Sequence, residues 1–134
     1  MRKSALFIAL AVAAAAPVSA ATPQHKTGEE ELAALLKDRV PGKPVSCLSL
    51  PSLSGSQIID GTAIVYRSGS KLYVNRLRSD AKVLRDDDIL LTRTSTGEIC
   101  NIDTIYLLDR GSHFTRGFVT LGDFVPYERP RGGK

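Results

Sequence analysis

The sequence predicts an all-β domain, a small antiparallel sheet, barrel or sandwich, preceded by one N-terminal α-helix. Three observations carry this. Short apolar runs rich in β-branched residues follow one another from Val45 onward, each broken by Gly, Ser, Pro or Asp. Only one stretch, Thr27 to Arg39, has helical spacing. No helix-period segment separates the later runs, so βαβ units are not expected.

The helix begins at Thr27, which with Glu30 fits a capping box. Leu32, Leu35 and Leu36 make one apolar stripe at i, i+3 and i+4, read as a core-facing side. Glu29–Glu31 at the start, and Lys37 and Arg39 at the end, suit the helix dipole, and Pro41-Gly42 is the expected stop. Thr62 to Tyr66 and Lys71 to Leu77, joined by Ser68-Gly69-Ser70, read as a hairpin. Val83-Leu84 is a further candidate strand, and Ile89 to Arg93 follows the triplet Asp86-Asp87-Asp88. Glu98 to Leu108 is the longest candidate, and Phe114 to Phe124 supplies one or two more. About six strands are expected in all.

The first residues read as an export signal. Arg2 and Lys3 are basic, Ala5 to Ala16 form an apolar run of 12 residues, and Val18-Ser19-Ala20 has small residues at the −3 and −1 positions. The apolar run is short for a membrane span, which takes about 20 residues. The expected divisions are a signal peptide over 1–20, an N-terminal segment with the helix over 21–44, a β-rich domain over 45–128, and a basic tail over 129–134. Removing 20 of the 134 residues leaves 114, enough for one core. Losing Arg2 and Lys3 lowers the formal charge from +4 to +2, which argues against specific nucleic-acid binding. No membrane span is expected in the mature chain, and its expected place is the periplasm or the secreted fraction.

Cys47 and Cys100 are the two cysteines. In an oxidising compartment the simplest reading is one bridge between them; two free thiols or a metal pair are the alternatives. Other chemistry is weakly supported. His25 and His113 are the only histidines. Ser112 and His113, if adjacent on a strand, point to opposite faces and are badly placed for proton transfer. Cys47 with His113 needs a free thiolate. Asp86–Asp88 lacks the glycine and distant glutamate of a calcium loop and reads as a solvated turn. Asp60, Asp103, Asp109 and Asp123 are scattered carboxylates that sequence cannot pair for a glycosidase, with Asp103 placed inside a strand. No metal or cofactor is expected.

Arg67, Lys71, Arg76 and Arg78 gather around the hairpin with Tyr66 and Tyr73. Such a patch would suit an envelope protein or polyanion, against the reading of an ordinary charged face.

The succession Cys47-Leu48, Ile58-Ile59-Asp60 with Thr62, Tyr73-Val74-Asn75-Arg76-Leu77, Cys100-Asn101-Ile102-Asp103 and Leu121-Gly122-Asp123-Phe124 resembles a family of short exported proteobacterial proteins of unknown function. The resemblance spans about residues 45–127. Members commonly carry four cysteines, and this chain lacks those near Asp80-Ala81 and near Thr120. If those two pair with each other, the resemblance implies a Cys47–Cys100 bridge; it implies no activity or ligand. Ser68-Gly69-Ser70-Lys71-Leu72-Tyr73 is also similar to the cleft-facing segment of periplasmic lysozyme inhibitors. The tyrosine is one place late, and the following aromatic segment is replaced by Asn75-Arg76-Leu77. The functional expectation is therefore a non-enzymatic binding or structural module of the envelope. Inhibition of an enzyme such as lysozyme through Ser68, Lys71, Tyr73 and Arg76 is the first alternative, and a weak hydrolase the second.

Overall fold

One strand, Ala63–Ser68, opens with four consecutive buried residues, Ala63 to Tyr66, and so has both faces covered. That is the signature of a strand at the middle of layers rather than at a solvated surface. The computed structural model describes residues 17, 20, 21 and 23–132. The expected export signal, Pro17 and Ala20 apart, lies outside the described residues, as does the end of the basic tail.

In chain order the elements are α1 (Gly28–Leu35), β1 (Val40–Pro41), β2 (Cys47–Ser49), β3 (Gly55–Ile59), β4 (Ala63–Ser68), β5 (Lys71–Asn75), β6 (Ile89–Thr92), β7 (Glu98–Cys100), β8 (Thr104–Leu108), β9 (Thr115–Thr120) and β10 (Phe124–Glu128). The strands form a five-stranded sheet ordered β1-β10-β5-β4-β3, a two-stranded sheet β2-β7, and a three-stranded sheet β6-β8-β9, all antiparallel. The described residues are mostly β with one α-helix, as expected, and their sheets do not close into a barrel. No helix among the described residues is long and apolar enough to cross a membrane.

The five-stranded sheet is the middle layer. On one face Ile59, Ala63, Val65, Leu72 and Val74 pack with Leu32 of α1. On the other, Ile58, Ile64, Tyr66 and Phe124 meet Leu48, Ile99, Ile105, Leu107 and Val119 from the two smaller sheets. The alternation along β4, with Ala63 and Val65 one way and Ile64 and Tyr66 the other, follows from the period of two. Residues 40–50 stitch the layers together. Val40 and Pro41 pair with β10, Gly42 N–H donates to Pro126, Val45 bridges Phe124, and the chain then enters the ladder with β7.

The capping box forms as expected. Glu30 N–H donates to Thr27 Oγ1 at 3.3 Å, and Thr27 N–H donates to Glu30 Oε2 at 2.8 Å. The helix stops sooner than expected, at Leu35, and Asp38 takes a left-handed φ of 61°. Lys37 and Arg39 therefore lie beyond its end. Arg39 instead donates to the Ser70 and Tyr127 carbonyls, fastening the segment after the helix to the sheet.

Five other expectations are corrected. Val83-Leu84 is not a strand. Asp80 caps a 3-10 turn over Ala81–Val83, and Leu84 drops into the core. The long run Glu98 to Leu108 is two strands, because Asp103 sits in the turn between them and accepts from Cys100 N–H at 2.7 Å. Ser112 and His113 lie in a turn, where His113 has a φ of 61°. Asp88 is not a solvated turn residue: it is 5 % exposed and takes both arms of the Arg116 guanidinium. Ten strands among the described residues replace the expected six: β1, β2 and β7 span only two or three residues each, too few for periodicity to register, and β3 opens on Gly55-Ser56-Gln57, which has no apolar alternation.

Candidate binding surfaces

Cys47 and Cys100 are joined in a disulfide, so neither offers a thiolate or a metal ligand. They face each other across β2 and β7 with Cα atoms 4.0 Å apart. Asn101 N–H donates to Ser46 and Leu50 N–H to Gly97, which makes the intervening Cys47–Cys100 pair a non-hydrogen-bonded one. Cys100 N–H consequently points away from β2, and the Asp103 carboxylate takes it. Glu98 lies close to the two sulfurs, but a carboxylate beside a disulfide is not a metal site.

The residues that carry the family resemblance meet at structural joints. Asn75 is fully buried; its amide donates to Gly122 O at 2.7 Å and accepts from Gly122 N–H at 2.9 Å. A Cβ on Gly122 would stand 2.2 Å from Arg76 O, so only glycine permits this approach. Asn101 donates to Asp123, and Leu121 N–H donates to Asp103 O. These positions lock β5, β7 and the start of β10 together rather than line a pocket.

The hairpin β4–β5 forms with Gly69-Ser70 as its two-residue loop, and Gly69 supplies the positive φ of 57° that a tight hairpin turn needs. Its expected binding residues are engaged internally. Ser68 Oγ donates to Ser52 O at 2.9 Å. Lys71 Nζ lies 2.6 Å from Glu128 and 5.7 Å from the centroid of Tyr73, itself half-buried. Arg76 reaches across to α1 and binds Glu29 through both arms. The hydrogen bond from Lys71 lowers the pKa of Glu128, and that from Arg76 lowers the pKa of Glu29. Arg67 and Arg78 remain exposed. The patch is thus partly neutralised, as an ordinary charged face would be.

The candidates for catalysis do not converge. Ser112 Oγ donates to Asp109 at 2.9 Å, and the hydrogen bonds of Ser112 and Gly111 hold the Asp109 carboxyl below its ordinary range. Asp109 organises its own turn, while His113 is exposed beside it. Asp60 lies exposed in the β3–β4 turn, Asp123 pairs with Asn101, and Asp103 caps Cys100.

What sequence reading missed is the outer face of the three-stranded sheet. Leu91 opposes Tyr106, and Tyr106 opposes Phe118, so these three side chains form a row on one face. Phe118 is 64 % exposed and Phe114, just before the start of β9, is 78 % exposed. The Arg93 guanidinium lies 5.8 Å from the Tyr106 ring centroid. A signal existed. Both Ile105-Tyr106-Leu107 and Phe118-Val119 put apolar residues on two successive positions, and hence on both faces of their strands.

Comparison with known proteins finds no family model, no curated protein and no solved structure that matches this chain.

Proposed function

We propose that this protein is a non-enzymatic binding module of the bacterial envelope, exported by cleavage after Ala20, which meets a protein partner through the Leu91–Tyr106–Phe118 row. The observation that carries the reading is the exposure of Phe118 beside Tyr106, with Phe114 also exposed just before the same strand. Large aromatic side chains grouped in the open favour a contact face, because interface cores are enriched in aromatics and arginine. Arg93, over the ring of Tyr106 in the middle of the row, favours a partner whose apolar patch carries acidic groups beside it. Export is supported by the order of charge, apolar run and small residues at the N-terminus, and it accords with the disulfide. The resemblance to short exported proteins belongs to the same proposal.

The test uses the exported protein immobilised against envelope extract. The wild type should retain a defined protein that the Phe114→Ser/Phe118→Ser variant does not, with the far-ultraviolet dichroism of the two unchanged. Identical retention by both would refute the reading. The hairpin alternative is less supported, since Lys71 and Arg76 are already paired to Glu128 and Glu29. A lysozyme assay in which the pure protein inhibits, and Lys71→Glu abolishes inhibition, would reinstate it.

A further inference from the structure

The middle sheet and the three-stranded sheet part along one side. β3 is the outermost strand of the first and β6 an outermost strand of the second, and neither is paired there. Between their edges lies a cavity of about 300 Å³, walled by Leu50, Leu53, Ser56, Leu90 and Thr92 with Tyr66 in its floor. That volume is at the small end of ligand pockets. Ser56 opposes Tyr66 in the β3–β4 ladder, so both side chains stand on the face turned toward the cleft.

Tyr66 is the unusual member. It is 4 % exposed, and its ring packs edge-on against Phe124 with centroids 5.7 Å apart. Its hydroxyl is buried without a hydrogen-bond partner among the described residues. Almost every buried polar group in a folded protein has such a partner, so this oxygen calls for one. Burial drives its pKa well above the ordinary tyrosine range, so the group stays protonated and available as a donor. No residue lining the cavity is charged. An anion seated there would lose hydration with no cation to replace it.

We propose that this cleft binds a small, neutral, apolar molecule carrying one hydrogen-bond acceptor, which lies among Leu50, Leu53 and Leu90 and accepts from Tyr66 Oη. Leu53 and Leu90 are half-buried and line the cleft with Tyr66, whose buried hydroxyl the ligand reaches by displacing side chains at the wall. The site is separate from the aromatic row. Leu90 faces inward opposite Leu107, while its neighbour Leu91 faces outward, and the two proposals stand or fall independently.

The probe is acetophenone, a neutral ring with one carbonyl, compared with cumene, which has no acceptor, and with benzoate, which is charged. Binding is followed by amide chemical shifts of the exported protein. Acetophenone should give saturable shifts centred on Ser54–Ser56, Leu90 and Thr92, and benzoate should bind more weakly. Tyr66→Phe should weaken acetophenone about three- to tenfold, the scale of one hydrogen bond, and leave cumene unchanged. Ser56→Phe, a change at an exposed residue in the cleft mouth, should remove binding of both neutral compounds. Absence of saturable shifts with acetophenone, equal affinity in Tyr66→Phe, or unchanged binding in Ser56→Phe would each overturn the proposal.

Discussion

The two sides that flank the middle sheet are built differently. On one, a single short helix lays Leu32 onto Ala63, Val65, Leu72 and Val74, with half-buried Leu35 and Leu36 beside it. On the other, two small sheets bury their inner residues against Ile58, Ile64, Tyr66 and Phe124, yet the outer face of the three-stranded sheet keeps Tyr106 and Phe118 in the open. The first side is covered and held by side-chain packing and ion pairs. The second is crosslinked by Cys47–Cys100 and bare on its outside. The difference is coverage of the outer surface. The described residues hold one α-helix, and its eight residues cannot cover two sheets. The leftover apolar face is therefore available for contact with another molecule.

The largest way to disturb this comparison is to cut the crosslinked side. The disulfide joins residues 53 apart in sequence. The chain-entropy model gives such a link about 4 kcal/mol. Cys47→Ala/Cys100→Ala should lower the unfolding free energy by a corresponding amount and steepen the urea dependence, because the unfolded chain without the link is more expanded. A midpoint within error of the wild type would mean that packing of Leu48 and Ile99 alone holds β2 and β7.

On the covered side, Leu32→Ala should cost about 3 kcal/mol, since Leu32 is 2 % exposed and its loss leaves a cavity over β4 and β5. The same urea experiment reads it. A cost under about 0.5 kcal/mol, the scale of surface changes, would place α1 outside the cooperative unit.

These two sides also differ in how far sequence reading could reach them. The helix start was legible because Thr27 and Glu30 make a local, spacing-dependent signal, and the stripe Leu32, Leu35, Leu36 names its buried face without further information. Its end was not, since Asp38 rather than Pro41 breaks it, and a left-handed aspartate has no distinctive spacing. The hairpin of β4 and β5 was legible for the reason its turn is short. The placement of β10 between β1 and β5 was not, because pairing between residues about 50 apart leaves no local trace. Arg116 shows the same limit. Its partner Asp88 lies 28 residues away, so the triplet Asp86–Asp88 looked like uniform solvated charge when one member is buried. The aromatic row was half legible: apolar pairs on successive strand positions were visible, but which face would lack cover depends on where α1 docks.

Acid should loosen α1 on the covered side. The pKa of Glu29 is depressed below 4.5 chiefly by its hydrogen bond from Arg76, and that of Glu30 chiefly by the Thr27 backbone N–H. A carboxyl with a depressed folded-state pKa contributes stability that is fully present above its unfolded value and disappears as pH falls through the folded value. Amide protection across Glu31–Leu36 should therefore hold from neutrality to about pH 4.5 and decline below it. Glu29→Gln/Glu30→Gln should start lower and lose that decline. Hydrogen exchange at several pH values distinguishes the two, and a wild-type profile parallel to that of the double variant would remove the two carboxylates from the account.

The smallest expected effect on stability is the sharpest test of the comparison. Phe118→Ser removes as much apolar surface as many core substitutions, but from a side chain already 64 % exposed. What it loses on folding is the remaining contact with Tyr106 on the neighbouring strand, so the change should stay within about 0.5 kcal/mol of the wild type. Polar replacement should also raise solubility, because it takes an aromatic group out of water. A loss comparable to that of Leu32→Ala would mean that the outer face is itself packed in solution, by a second copy or by another part of the chain. Its dependence on protein concentration would separate those two, since only association with a second copy is stabilised by mass action.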